Sequence, residues 1–95
     1  MEAQNFLSLF TRGMFESVKG GNSVLRSLRR LKSKFPENFQ EIIERLIDKI
    51  ESGAMLSEAM GDEPIFSGLY LEIIKKYEIE QKYLKAFRIL AELYH

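Results

Sequence analysis

The sequence predicts an all-α fold, a compact antiparallel bundle of about six helices. Three observations carry that prediction. Apolar residues recur at helical spacing along the whole chain, and no segment keeps the strict alternation of a half-buried strand. Gly20, Gly21, Pro36, Gly53, Gly61 and Pro64 fall between the periodic segments, where they break helices. The connections left over are short, so amphipathic stripes can be buried only against one another.

The first helix is expected from about Asn5 to Lys19, with Phe6, Leu9, Phe10, Met14 and Val18 close to one face and Leu7 and Phe15 widening it. Gly20 and Gly21 end it, because glycine reaches positive φ without a Cβ clash. Asn22 or Ser23 then caps a second helix bearing Val24, Leu25, Leu28, Leu31 and Phe35, stopped by Pro36. Asn38 three residues before Glu41 reads as a capping-box start for the third helix, which carries Phe39, Ile42, Ile43, Leu46, Ile47 and Ile50. Its polar face holds Glu37, Glu41, Glu44, Asp48 and Glu51, with Glu41 one turn from Arg45 and spaced to pair with it. Gly53 closes this helix. A short fourth helix has Leu56, Ala59 and Met60, and the Gly61–Pro64 stretch breaks the chain again. The fifth carries Phe66, Leu69, Tyr70, Ile73, Ile74 and Tyr77, and the sixth Tyr83, Leu84, Phe87, Leu90, Ala91 and Tyr94. Most of the aromatic residues among these are expected in the core, with tyrosine hydroxyls reaching its rim, and some on an exposed self-association or partner surface. No period of helical-repeat length recurs, which sets a solenoid aside.

Ninety-five residues fit a single domain, residues 1–95. With 45% apolar and 29% charged residues the composition is that of a globular protein. The absence of cysteine excludes a disulfide framework and a thiolate metal site. No stretch approaches the roughly 20 apolar residues that cross a bilayer, and the start lacks a basic region ahead of an apolar one. The chain is therefore expected to be soluble by itself, with any membrane helices of a longer parent lying outside it.

Net charge is zero but unevenly spread. Residues 1–36 have seven Lys/Arg against two Asp/Glu, residues 37–63 two against eight, and residues 64–95 five against four. This asymmetry points to internal complementarity or a docking face.

Catalytic chemistry finds little support. The one histidine is His95, at the chain end, so no serine has a histidine base. Phosphate-cradling, HExxH and EF-hand patterns are absent. Glu41, Glu44, Asp48 and Glu51 share a face that reads first as solvated. A divalent-cation site would require convergence with acids such as Glu78 or Glu80, and would suit a hard cation such as calcium. Arg26, Arg29, Arg30, Lys32 and Lys34 form a basic cluster, with the three arginines on one face. It reads first as a solvated face balancing the acidic third helix, then as a protein- or lipid-docking surface. Nucleic-acid binding through Arg26–Lys34 is the runner-up function, disfavoured because base-stacking aromatics do not accompany the cluster.

One run resembles a known family. Gly53, Leu56-Ser57-Glu58-Ala59, Pro64-Ile65-Phe66, Tyr70, Ile73-Ile74, Glu78 and Leu84 occur in the order found in the cytoplasmic domain of type II secretion system F-type proteins. These are the platform proteins of secretion and type IV pilus machines. Phe10-Thr11-Arg12 running to Gly21, then Ser23-Val24-Leu25 and Leu28, extends the resemblance to about Phe6–Tyr94. Two positions depart from it. The family's Gly-Glu-x-x-Gly turn is Tyr77-Glu78-Ile79-Glu80-Gln81 here, which predicts a helical or reshaped turn, and the proline after the phenylalanine is Ser67. The resemblance implies a non-enzymatic scaffold on the cytoplasmic face of the inner membrane. Such a scaffold couples an assembly ATPase and other platform proteins to pilin-like subunits, and self-associates as a homodimer. The residues offered for partner docking are Arg26, Arg29 and Arg30, the acids Glu44, Asp48 and Glu51, and Glu78.

Overall fold

A computed structural model describes residues 1–95 and contains six α-helices and no strand. They are α1 (Ala3–Lys19), α2 (Val24–Lys32), α3 (Glu37–Glu51), α4 (Leu56–Gly61), α5 (Gly68–Glu78) and α6 (Tyr83–Leu93). The chain is all-α, as its periodicity predicts. Each helix packs on its neighbour in sequence, and α6 returns to pack on α1, closing a ring. Extents of 33 × 30 × 27 Å show that the ring is about as wide as it is long.

The helix ends explain why the chain reverses where it does. After α1, Gly21 takes φ +101°, Gly21 N–H donates to the Val18 carbonyl and Asn22 N–H to that of Ser17. After α3, Gly53 takes φ +105°, with Gly53 N–H on Ile50 and Ala54 N–H on Lys49. These are Schellman motifs, which satisfy carbonyls that would otherwise lack partners at a helix end. The turn after α5 is built the same way without glycine. Gln81 adopts φ +57°, its N–H meets the Glu78 carbonyl at 2.9 Å, and Lys82 N–H meets that of Tyr77 at 2.9 Å. This turn is thus a Schellman motif like the other two, with Gln81 holding the left-handed conformation that suits glycine.

Other local expectations need correction. Ser23, not Asn22, caps α2 by accepting from Arg26 N–H at 3.1 Å. Phe35 lies beyond the end of α2 yet is buried. The third helix starts at Glu37 with Pro36 at its N-cap, so Asn38 is inside the first turn and caps nothing. Proline already has the φ that precedes a helix and no N–H of its own to satisfy. The backward reach of a glutamate occurs instead at α4, where the Glu58 carboxylate accepts from Met55 N–H at 3.0 Å. Phe66 precedes α5 and Tyr94 just follows α6.

One continuous core joins all six helices. At its centre Phe6 stacks on Phe39 at 4.6 Å and on Phe10 at 5.2 Å, and meets Phe35 edge-on at 5.1 Å. The aromatic chain continues from Phe10 through Phe66 and Tyr70 to Tyr94, linking α1 to the residue that ends α6. Offset and edge contacts of this kind add to the stabilisation from burying the rings. Tyr70 differs from expectation, because its hydroxyl does not reach the rim. It is fully buried and hydrogen-bonded to Thr11 Oγ1 at 2.7 Å, joining α5 to α1.

Candidate functional site

The charged faces of α2 and α3 lie against each other. Arg29 pairs with Glu51 and Lys32 with Glu44. The later residue of α2 meets the earlier residue of α3, as antiparallel neighbours require. The basic amino-terminal third and the acidic middle of the sequence therefore compensate each other inside the molecule. Both pairs are solvent-exposed. Asp48 is also exposed, while Arg26, Arg30 and Lys34 face solvent with no ion-pair partner. With Arg29 and Lys32 turned to α3, the basic cluster is no longer a uniform cationic face.

Arg45 does not pair with Glu41. Its guanidinium instead clamps the carboxylate of Glu63, with contacts of 2.8 Å from Nε and 2.7 Å from the terminal nitrogen. Glu63 sits in the turn after α4 and is only 5% exposed, so a two-pronged donor suits it better than a water-facing pair would. The hydrogen bond to Glu63 is the main cause of a raised Arg45 pKa. Beside it, Lys49 pairs with Asp62 at 2.7 Å, and the two contacts fasten α3 to the loop beyond α4.

Glu78 is the acid that helix packing alone does not account for, and it is 4% exposed. It ends α5 with its carboxylate turned inward. One oxygen accepts from Ser57 N–H at 3.0 Å and from the Tyr83 hydroxyl at 3.0 Å, and the other accepts from Ser57 Oγ. Ser57 occupies the first turn of α4, whose backbone N–H groups lack helical partners. A buried carboxylate there supplies an acceptor and favours the positive end of the helix dipole. Glu78 thus ties α5 to the start of α4 and to α6. Burial, and after it the hydrogen bond to Glu78, pushes the Tyr83 pKa well above the usual tyrosine range. No signal in the sequence singles out Ser57 and Tyr83 as the partners, because 21 residues separate Ser57 from Glu78.

This geometry bears on each chemical reading. The Ser57–Glu78 contact has no histidine beside it, and neither residue lines a cleft. No three His, Asp or Glu side chains converge in a way that would hold a metal ion. Glu78 is engaged with Ser57 and Tyr83, and Glu80 lies 3.7 Å from the ammonium of Lys82. Of the residues offered for docking, Arg26, Arg30 and Asp48 remain open at the surface, Arg29, Glu44 and Glu51 are joined across α2 and α3, and Glu78 is internal. No helix is long and apolar enough to cross a membrane.

Comparison with known families places this architecture. A family model described as Type II secretion system (T2SS), protein F matches residues 10–95. No curated protein matches the chain. The matched span runs from the middle of α1 to the last residue and so takes in every reversal of the ring, the Gln81 turn included. The chain belongs to the type II secretion system protein F family.

Proposed function

We propose that this chain is a non-enzymatic coupling scaffold of an inner-membrane platform protein in a type II secretion or type IV pilus system. It acts at the cytoplasmic face of the membrane, where it contacts the assembly ATPase and other platform proteins and associates with a second copy of itself. The observation that carries this reading is the family match over residues 10–95. The structure is compatible with mechanical work. Polar ties between elements (Thr11–Tyr70 across the ring, Arg45–Glu63 and Ser57–Glu78 between neighbours) stiffen the ring, and a stiff body transmits a push without dissipating it internally.

Calorimetric titration of the purified domain with the assembly ATPase of its own system tests the coupling role, and light scattering tests self-association. A saturable complex and a concentration-dependent dimer are expected. An ATPase that shows no heat of binding with the domain in excess would remove the coupling role, and a monomer at every concentration would remove the dimer.

A further inference from the structure

One end of the ring has an apolar cleft that shares only Tyr83 with the ties described above. It forms where the turns after α1 and α5 come together. Two hollows of about 380 and 360 Å³ meet there, sharing Ser23, Val24, Gln81 and Tyr83. The inner hollow is lined by Val24, Leu25, Ile50, Met55 and Leu56 among others and has no charged residue. Met55 at its edge is 47% exposed, and Leu84 in the outer hollow is 40% exposed. The outer hollow adds Lys82, Lys85 and Arg88 and contains no acid. In a chain with equal numbers of acidic and basic residues, this is a local excess of one sign beside an apolar floor.

The three cations recur every third residue along α6 and its N-cap, so they form one wall of the cleft. Arg88 has no ion-pair or ring partner. Lys82 has only the 3.7 Å contact with Glu80, and Lys85 lies over the Tyr77 ring at 5.5 Å. We propose that this cleft docks an acidic amphipathic helix of a partner protein, with aliphatic side chains on the Val24–Ile50–Met55 floor and carboxylates along Lys82, Lys85 and Arg88. An amphipathic helix laid into a groove satisfies floor and wall together, and the charges set its orientation. A phosphate backbone would meet the cations but leave the floor uncovered. The inference rests on reading the chain as a docking scaffold and adds the site and the chemistry of what docks.

The test uses the intact chain, isotope-labelled for amide NMR, and a synthetic helical peptide with one leucine face and one glutamate face. The expected shifts are confined to the amides of Val24, Leu25, Met55 and the Gln81–Lys85 segment. A matched peptide with lysine for glutamate should bind about tenfold or more weakly. The double variant Lys82→Glu, Arg88→Glu alters only exposed side chains and should reverse that preference. Equal binding of both peptides, shifts centred elsewhere, or no shift would each overturn the proposal. So would phosphatidylglycerol vesicles or duplex DNA perturbing the same amides more strongly than the acidic peptide. Because the peptide is not the ATPase, failure here leaves the coupling role to its own titration.

Discussion

The α2–α3 seam and the Glu78 junction are made from the same chemistry, carboxylates facing donors, and they differ in their access to water. At the seam, Arg29 and Glu51 are each about half exposed, so water already solvates both charges. At the junction, the Glu78 carboxylate has exchanged its water for three donors from two other helices. A contact made in water is easily replaced, whereas one made in the interior leaves its donors stranded when it is lost. Position on the sequence does not reveal this difference, since both are simply acids on amphipathic helices. The charge-rich seam is the more visible feature in the sequence, yet the junction should control stability.

Glu78→Ala is expected to have the largest effect, a loss of about 3 kcal/mol, because it strands the N–H and hydroxyl of the buried Ser57 together. Urea unfolding should show a lower midpoint with an unchanged slope. Glu78→Gln keeps an amide oxygen as acceptor and should lose less. If Glu78→Ala unfolds at the wild-type urea concentration, the contrast between junction and seam collapses.

Next in size is the Thr11–Tyr70 bond. Tyr70→Phe leaves Thr11 Oγ1 buried without its partner and should cost about 1–2 kcal/mol at neutral pH. The same residue gives a pH signature. Burial raises the Tyr70 pKa, and burial followed by the contact with Glu78 raises that of Tyr83. The native chain therefore holds protons that the unfolded chain begins to release near pH 10. Their stabilising contribution is complete below about pH 10, declines above it, and is lost as pH rises through the folded-state values. Unfolding midpoints measured across the alkaline range should fall more gently in Tyr70→Phe and in Tyr83→Phe than in the parent. An equal slope in all three would mean that the buried hydroxyls are not the cause.

How far the sequence revealed these regions depends on the range of each interaction. The helices were legible, because the Phe6–Phe10–Met14 stripe and Gly21 and Gly53 act within a turn or two of themselves. The family resemblance was legible too, because it lies in the order of such local features. The partners of Glu78 and Glu63 were not, since Ser57 and Arg45 lie 21 and 18 residues away and reach them only once neighbouring helices have packed. Arg45 shows the limit most clearly. Helical spacing offers it Glu41 on the surface, but the fold presents a buried carboxylate that has greater need of a donor.

Gln81 sharpens the comparison from another side, since the turn that follows Glu78 carries backbone strain as well as the junction. Its φ of +57° is a conformation that a side chain with a Cβ adopts at some cost. Gln81→Gly should therefore stabilise the chain by about 0.5–1 kcal/mol, the strain relieved outweighing the extra freedom of glycine in the unfolded state. Gly53→Gln, at the matching position after α3, should shift the melting temperature the opposite way. A destabilised Gln81→Gly would mean that the Gln81 side chain does something in the cleft that its conformation does not explain.

The smallest effect should come from the most visible feature. Arg29→Ala and Glu51→Ala each remove an exposed pair whose attraction is screened by salt and offset by ordering two long side chains. Each change should lie within about 0.5 kcal/mol of the parent, and the coupling between them, measured as a double-mutant cycle, should shrink as salt rises. The global arrangement gives the same expectation, because Phe39, Ile43 and Leu46 already hold α3 in the core when the seam is cut. A coupling near that of a buried pair, undiminished by salt, would show that the seam is sheltered from water. Arg29, Glu44 and Glu51 would then belong with Glu78 among the groups that hold the helices together, leaving Arg26, Arg30 and Asp48 as the residues offered for docking that stay free to meet a partner.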